Sequence, residues 1–283
     1  MLLRALLQPR VLADRRRERD PEGRWLLHLH FLDPHANYEP PQEYRADLEG
    51  RPALPWDLST QDGNNDFHRE WEAGKLDEAT LAEAEIQMRI LYEGEIRFLD
   101  DELRRLYTAM EAEGLLDDTI VVVWTDHGEQ FWENGDHGHN RSLHFGENDG
   151  LMMLAGPGIA PAAWPLPTSH LDLLPSVLAA LGLPLPPDLR GSPIGDAPAD
   201  RALPSALQIA GRPPQQGIIV GEHRLLYRWD GALEFYDLRA DPAEQAPLPA
   251  PSGDAYRSAV EALRIEAARL QPAIPDFQPD QLP

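Results

Sequence analysis

The run Thr119-Ile120-Val121-Val122-Val123-Trp124-Thr125 constrains this chain more than any other segment. β-Branched side chains are stiff at χ1 and suit a pleated sheet better than a helix. An apolar run without polar alternation predicts a central strand covered on both faces, the habit of parallel sheets with helices packed on them. The turn pair Asp117-Asp118 leads into the run and Asp126-His127 leaves it.

Other segments fit that frame. Trp25 to Leu32 reads as a buried strand ending at Asp33-Pro34. Residues 39–75 are rich in Pro, Gly, Asn and Asp and predict a long loop with short turns. Asp77 can cap a helix running to about Glu113, with Gly114 as its stop and Leu81, Met88, Leu91, Leu99, Leu103, Leu106 and Met110 as its apolar stripe. Gly94 marks a break or a close approach. Leu151 to Ala155 is a further strand, stopped by Gly156-Pro157-Gly158, and Leu171 to Leu181 is a helix ended by Gly182. After a Pro-rich stretch the texture changes to short strands at Gly217–Val220, Arg224–Trp229 and Glu234–Leu238, followed by a helix over Ala255–Leu270. The expected organisation is a charged segment 1–24, a partial α/β domain 25–183, a linker 184–214, an α+β subdomain 215–272 and a tail 273–283.

Composition excludes some functions. A formal charge of −23 repels phosphate backbones and anionic lipid, so neither nucleic acid nor a membrane surface is an expected partner. An anionic substrate needs a metal or local cations to reverse that field. Without cysteine there is no disulfide, thiolate metal site or cysteine nucleophile. No apolar run has the length of a membrane span and no secretory leader is evident, so the chain reads as soluble and, by default, cytoplasmic.

Ligands of open α/β sheets lie beyond the carboxyl ends of the strands. Asp126 and His127 directly follow one predicted strand, and Asp33 and His35 follow another. If the two strands are parallel in one sheet, these groups share a rim. A carboxylate and an imidazole can hold a divalent cation there. The bland alternative for Asp126 is local, because Asp126 with Glu129 is also a capping-box pattern that would open a helix. Four of the ten histidines fall between His127 and His144, a density that points to a site. His28, His68, His170 and His223 read as packing residues.

The motifs form an ordered series. His30-Phe31-Leu32-Asp33-Pro34-His35-Ala36-Asn37-Tyr38, Tyr92-Glu93-Gly94-Glu95-Ile96-Arg97-Phe98-Leu99-Asp100, Asp126-His127-Gly128-Glu129, Gly138-His139 with Ser142-Leu143, Leu171-Asp172-Leu173-Leu174-Pro175 and Glu234-Phe235-Tyr236-Asp237-Leu238 occur in order. In this order they resemble the sulfatases of the alkaline phosphatase superfamily. The resemblance implies an alkaline-phosphatase-like α/β fold: a mixed, mostly parallel sheet flanked by helices, incomplete at its N-terminus, with a small C-terminal antiparallel α+β lobe. It also implies hydrolysis of a sulfate ester, or of a phosphate or phosphonate ester, on a small anionic molecule or glycan. Asp126 and His127 would be metal ligands, for Ca²⁺ first and Mn²⁺ or Mg²⁺ otherwise. His35 would lie on the leaving-group side, and His139 would bind the sulfuryl or phosphoryl oxygens. His30, Asn140 and Arg141 are added as candidate substrate contacts. The family's paired aspartates and its Cys- or Ser-derived formylglycine have no counterpart here, and Asn37 and Asn134 replace a usual Pro and His. The expectation is a portion of such a hydrolase that is inactive alone. The alternative is a non-catalytic interaction protein on the same remnant fold. Either way, unpaired sheet edges would invite a partner chain that completes the sheet.

Overall fold

The computed structural model describes residues 25–249 and 251–270; the segment 1–24 and the tail 273–283 lie outside the described residues. The chain divides into two compact units, Met1–Thr119 and Ile120–Pro283.

In the first unit, helix α1 spans Gln61–Glu72 and α2 spans Glu78–Ala112. Asp77 caps α2 by accepting from the Thr80 amide at 2.7 Å. The helix stops where Gly114 takes φ 67° and Leu115 N–H returns to the Met110 carbonyl. Its buried side includes Ala84, Met88, Leu91, Gly94, Glu95, Glu102 and Met110. Two carboxylates therefore sit in what a helical period marks as the apolar stripe. Gly94 marks close packing rather than a break. A Cβ there would lie 2.7 Å from the Tyr44 carbonyl oxygen and 2.9 Å from Pro40 Cγ.

Two expectations for this unit change. The 39–75 segment is not one long loop, because α1 forms inside it. Thr60 caps α1 by accepting from the Gly63 amide, and Phe67 is fully buried against Trp56. Trp25–Leu32 forms no strand ladder among the described residues. Its exposure alternates, with Leu26 92% and Leu32 74% exposed. An extended segment becomes a buried strand only with neighbours to pair and cover it, and no strand pairs with this one among the described residues.

The second unit holds three small sheets. β1 (Val121–Trp124) pairs antiparallel with β4 (Met152–Ala155), Val123 opposite Met153. β2 (Gln130–Phe131) pairs with β3 (His137–Gly138). A four-stranded meander joins β5 (Ala202–Leu207), β6 (Gln215–Val220), β7 (His223–Arg228) and β8 (Leu233–Asp237). α3 (Phe145–Asn148) precedes β4, α4 (Leu173–Ala180) follows it, and α5 (Asp254–Leu270) closes the described chain. The main core lies between α5 and the meander, where Ile218, Leu225, Tyr227, Phe235, Ala259, Leu263 and Ala267 pack together. Burying each large side chain contributes roughly 1.5–3 kcal/mol.

Every strand pair among the described residues is antiparallel. β1, expected to be covered on both faces, has only β4 beside it among the described residues. Trp124 is 38% exposed and Met153 51% exposed, and they lie on opposite faces of the ribbon. β5 falls within the stretch expected to be a linker. Pro204 is tolerated there because β5 is an edge strand of the meander.

Candidate active site

In the second unit the site begins at the end of β1. No helix opens at Asp126; the chain runs through an irregular loop into β2, so the capping-box alternative fails. Gly128 lets this loop pass against the next layer. Its N–H donates to the Glu147 carbonyl at 2.8 Å, and a Cβ at this position would lie 2.7 Å from the Asp149 carbonyl oxygen. The β2–β3 register, with Gln130 opposite Gly138 and Phe131 opposite His137, brings Glu129 beside His139. His139 Nδ1 lies 3.1 Å from Glu129 Oε1, whose side chain is almost wholly buried. That hydrogen bond raises the His139 pKa above the ordinary imidazole value, outweighing burial, which acts the other way. The His127 and His139 rings stand 4.2 Å apart between centroids.

His127 Nδ1 lies 2.7 Å from the Gly128 carbonyl. Donation there sets the tautomer and makes Nε2 the acceptor nitrogen, the arrangement a metal-binding imidazole needs. Nε2 lies 3.7 Å from Asp126 Oδ2, on a largely exposed carboxylate. The pair offers one nitrogen and one oxygen donor, a set that suits a divalent cation. No group of three or more such donors occurs among the described residues. The fit is thus for two ligands of a site, not for a whole cage.

The loop after β3 is held from beneath by Glu147, which the sequence reading missed. Its buried carboxylate accepts from the Arg141 amide at 2.7 Å, the Ser142 amide at 2.8 Å and the Ser142 hydroxyl at 2.9 Å, and also from Gln130 Nε2. Asn140 sits beside His139 at φ 61°. The Arg141 carbonyl accepts from Gln215 Nε2 at 2.9 Å, tying this loop to β6.

His144 is also anchored. Its Nε2 lies 3.2 Å from Glu234 and its Nδ1 3.4 Å from Glu244, the second a long ion pair. Burial lowers its pKa, but the two carboxylates overcome this and raise it to about 9. Glu244, fully buried, also meets Arg224 Nη1 at 2.7 Å and accepts from the Phe145 amide at 2.9 Å. Asn134, in the β2–β3 turn, donates to the Glu244 carbonyl at 2.9 Å.

His35 and His30 belong to the first unit. His35 is exposed, and its Nδ1 lies 2.7 Å from the Ala36 carbonyl, the same neighbouring-carbonyl arrangement as His127. His30 is exposed and stacks with His28 at 6.4 Å. Asn37 Nδ2 donates to the Ser59 carbonyl at 3.0 Å.

The model of the sulfatase family matches residues 10–183. The chain belongs to the sulfatase family. Among curated relatives, a choline-sulfatase of Rhizobium meliloti (strain 1021) is 27% identical over 271 residues, covering 86% of this chain and 50% of the relative. Among solved structures, a phosphonate monoester hydrolase from Silicibacter pomeroyi superposes with a TM-score of 0.63 at 19% identity, covering 95% of this chain and 60% of its own. A protein solved in complex with its substrate, D-glucosamine-2-N,6-O-disulfate, superposes with a TM-score of 0.56 at 21% identity, covering 81% and 50%. These likenesses show the α/β fold of the sulfatases and of the alkaline phosphatase superfamily. The chain spans about half the length of the curated relatives it matches along most of its sequence. Among the described residues no helix is long and apolar enough to cross a membrane.

Proposed function

We propose that this sulfatase-family chain supplies one face of a metal-dependent ester hydrolase. Its substrate would be a sulfate ester, or a phosphate or phosphonate ester, on an anionic small molecule or glycan. The observation that carries the reading is the His127–His139 pair, locked at opposite ends by the Gly128 carbonyl and by buried Glu129. Asp126 and His127 would hold a divalent cation, Ca²⁺ first, with Mn²⁺ or Mg²⁺ as alternatives. Such a cation supplies positive charge to the ester oxygens as charge develops on them. His139, whose protonated form Glu129 favours, would in that form donate its second ring N–H to a non-bridging oxygen, and a preset donor needs no reorganisation. His35, its Nδ1 engaged with Ala36, uses Nε2 to carry a proton to the leaving oxygen. His30, Asn140 and Arg141 are proposed substrate contacts.

Neither cysteine nor a formylglycine precursor segment of the family's type is present. We therefore assign no nucleophile and propose that residues 1–283 alone do not turn over. The test has two arms. Adding an aryl sulfate with Ca²⁺ should shift the His127 and His139 ring resonances saturably, and Asp126→Ala should abolish the shift; no shift in the unaltered chain would refute the reading. Assays with aryl sulfate, phosphate and phosphonate esters should stay at background. Turnover that His35→Ala and Asp126→Ala both remove would instead make the chain a self-contained enzyme. Calorimetry should find cation binding weak, since Ca²⁺ takes about 6–8 oxygen ligands.

A second reading has its own support. β1 and β4 are apolar on both faces yet only partly covered, with Trp124 and Met153 exposed on opposite faces. A two-stranded ribbon of this kind is marginal in water. A polypeptide that completes this sheet would also suit a non-catalytic interaction role. Sedimentation of the purified chain separates the cases, because a folded monomer with no tendency to associate would remove the need for such a partner.

A further inference from the structure

We infer that Glu95 is a positioning residue for the Asp33–Tyr38 loop, holding it through the Glu39 amide in a way that depends on the proton occupancy of the Glu95 carboxyl. Three observations carry this. Glu95 lies on the buried side of α2, one turn beyond Leu91, and is only 4% exposed. An apolar side chain there would be free of the desolvation cost that a buried carboxyl bears. Its Oε1 accepts from Glu39 N–H at 2.6 Å, directly after the loop that carries His35. Its Oε2 is buried and makes no hydrogen bond among the described residues. A side chain with one short bond to a motif loop and one unmatched oxygen is poorly explained as packing.

The backbone contact at Gly94 brings α2 and the Pro40–Tyr44 segment close enough for a single carboxyl to bridge them. The charged groups facing Glu95 are Asp33 and Glu39 from the loop and Arg45 from the turn behind it. Arg45 does not neutralise it directly: its Nε donates to the Pro40 carbonyl at 2.5 Å and its Nη1 to Ser59 Oγ at 3.1 Å. Burial is the main reason the Glu95 pKa rises to about 7, with Asp33 and Glu39 adding to it against the Glu39 amide and Arg45. The ionised form accepts the amide bond more strongly than the neutral acid, so the hold tightens as the proton leaves.

The consequence for catalysis rests on His35 being a site residue, as proposed above; the hold itself does not, and its test needs no activity. In the unaltered chain the Glu39 amide resonance should titrate with a midpoint near 7. In Glu95→Gln, which keeps an acceptor oxygen, that step should vanish while Glu39 stays protected from hydrogen exchange. In Glu95→Leu the protection should fall roughly tenfold or more. A midpoint at the ordinary glutamate value, a step that persists in Glu95→Gln (His35 titrating instead), or protection unchanged in Glu95→Leu would each overturn the inference. If Glu95→Leu does not fold, the Glu95→Gln titration decides alone.

Discussion

Removing the proton from His144 should weaken the second unit, and the structure sets the size of the effect. His144 lies between Glu234 on β8 and Glu244 beyond it, with Arg224 on the far side of Glu244. Its pKa rises from 6.5 to about 9. Each unit is about 1.4 kcal/mol, so the protonated form gains on the order of 3 kcal/mol from folding. The group is a base with a raised folded pKa. Its contribution is therefore complete below about 6.5 and is lost as pH rises through about 9. Glu244 gains from the same contact, since its own pKa is lowered by His144 and Arg224 against the effect of burial. Glu244 also sits at φ 53°, a left-handed conformation uncommon outside glycine, which these contacts hold in place. The assay is urea unfolding followed by circular dichroism at about pH 7.5 and about pH 10, for the unaltered chain and His144→Asn. The unaltered chain should lose about 2 of the ~3 kcal/mol across that window, the rest being already gone by about pH 7.5, and the variant very little. A His144 ring titration near the unperturbed value, or equal losses in both proteins, would refute the reasoning. Glu95 does not confuse the measurement, because its raised pKa costs stability as pH climbs from 4.5 to about 7 and adds no slope above.

Three other outcomes follow from the geometry. Glu129→Gln should move the His139 titration midpoint downward, observable by NMR, because the carboxylate that raises it is gone. Gly128→Ala should destabilise by roughly 1–3 kcal/mol in urea unfolding, since a Cβ there overlaps the backbone at Gly146 and Asp149. Arg201→Met should cost about 3 kcal/mol in the same assay, near the low end for breaking a buried pair. Asp172 is fully buried but would keep the Ser169 and Ser192 amides, at 2.8 and 2.9 Å.

What the sequence revealed depended on whether the cause was local. The helix from Asp77 to Gly114 was legible because its cap, apolar stripe and left-handed stop lie within itself. α1 was not, because Gly63, Asn64, Asn65 and Asp66 are weak helix formers and Phe67 burial holds it instead. Trp25–Leu32 has the composition of a strand but joins no strand ladder among the described residues, and ladder pairing is no property of the segment. For the candidate site, placement after a predicted strand and the family resemblance pointed to Asp126, His127 and His139, and the rings of the two histidines stand 4.2 Å apart. Glu129 as the partner of His139 follows from hairpin register, which two-residue strands do not announce. Glu147 and Glu95 were missed for a different reason. The apolar stripe was read from apolar residues alone, although Glu95 falls one helical turn from Leu91 and two from Met88, inside it. A carboxylate in phase with a buried stripe is the signal that could have found it.

The charge balance links these pieces. On the proposed reading, an anionic ester bound to a chain with a formal charge of −23 needs local positive charge. The acids themselves help create it: Glu129 shifts His139 towards its protonated form, and Glu234 and Glu244 keep a proton on His144. Each such proton comes with at least one carboxylate, so the His139–Glu129 pair fixes a donor in place while adding almost no net charge. Asp126, exposed beside His127, adds a further negative charge at the rim. His139 can therefore give direction to an ester oxygen but cannot by itself reverse the field around it. On the proposed reading, a cation held by Asp126 and His127 would supply the missing charge, and the two-ligand half-site and His139 would act together.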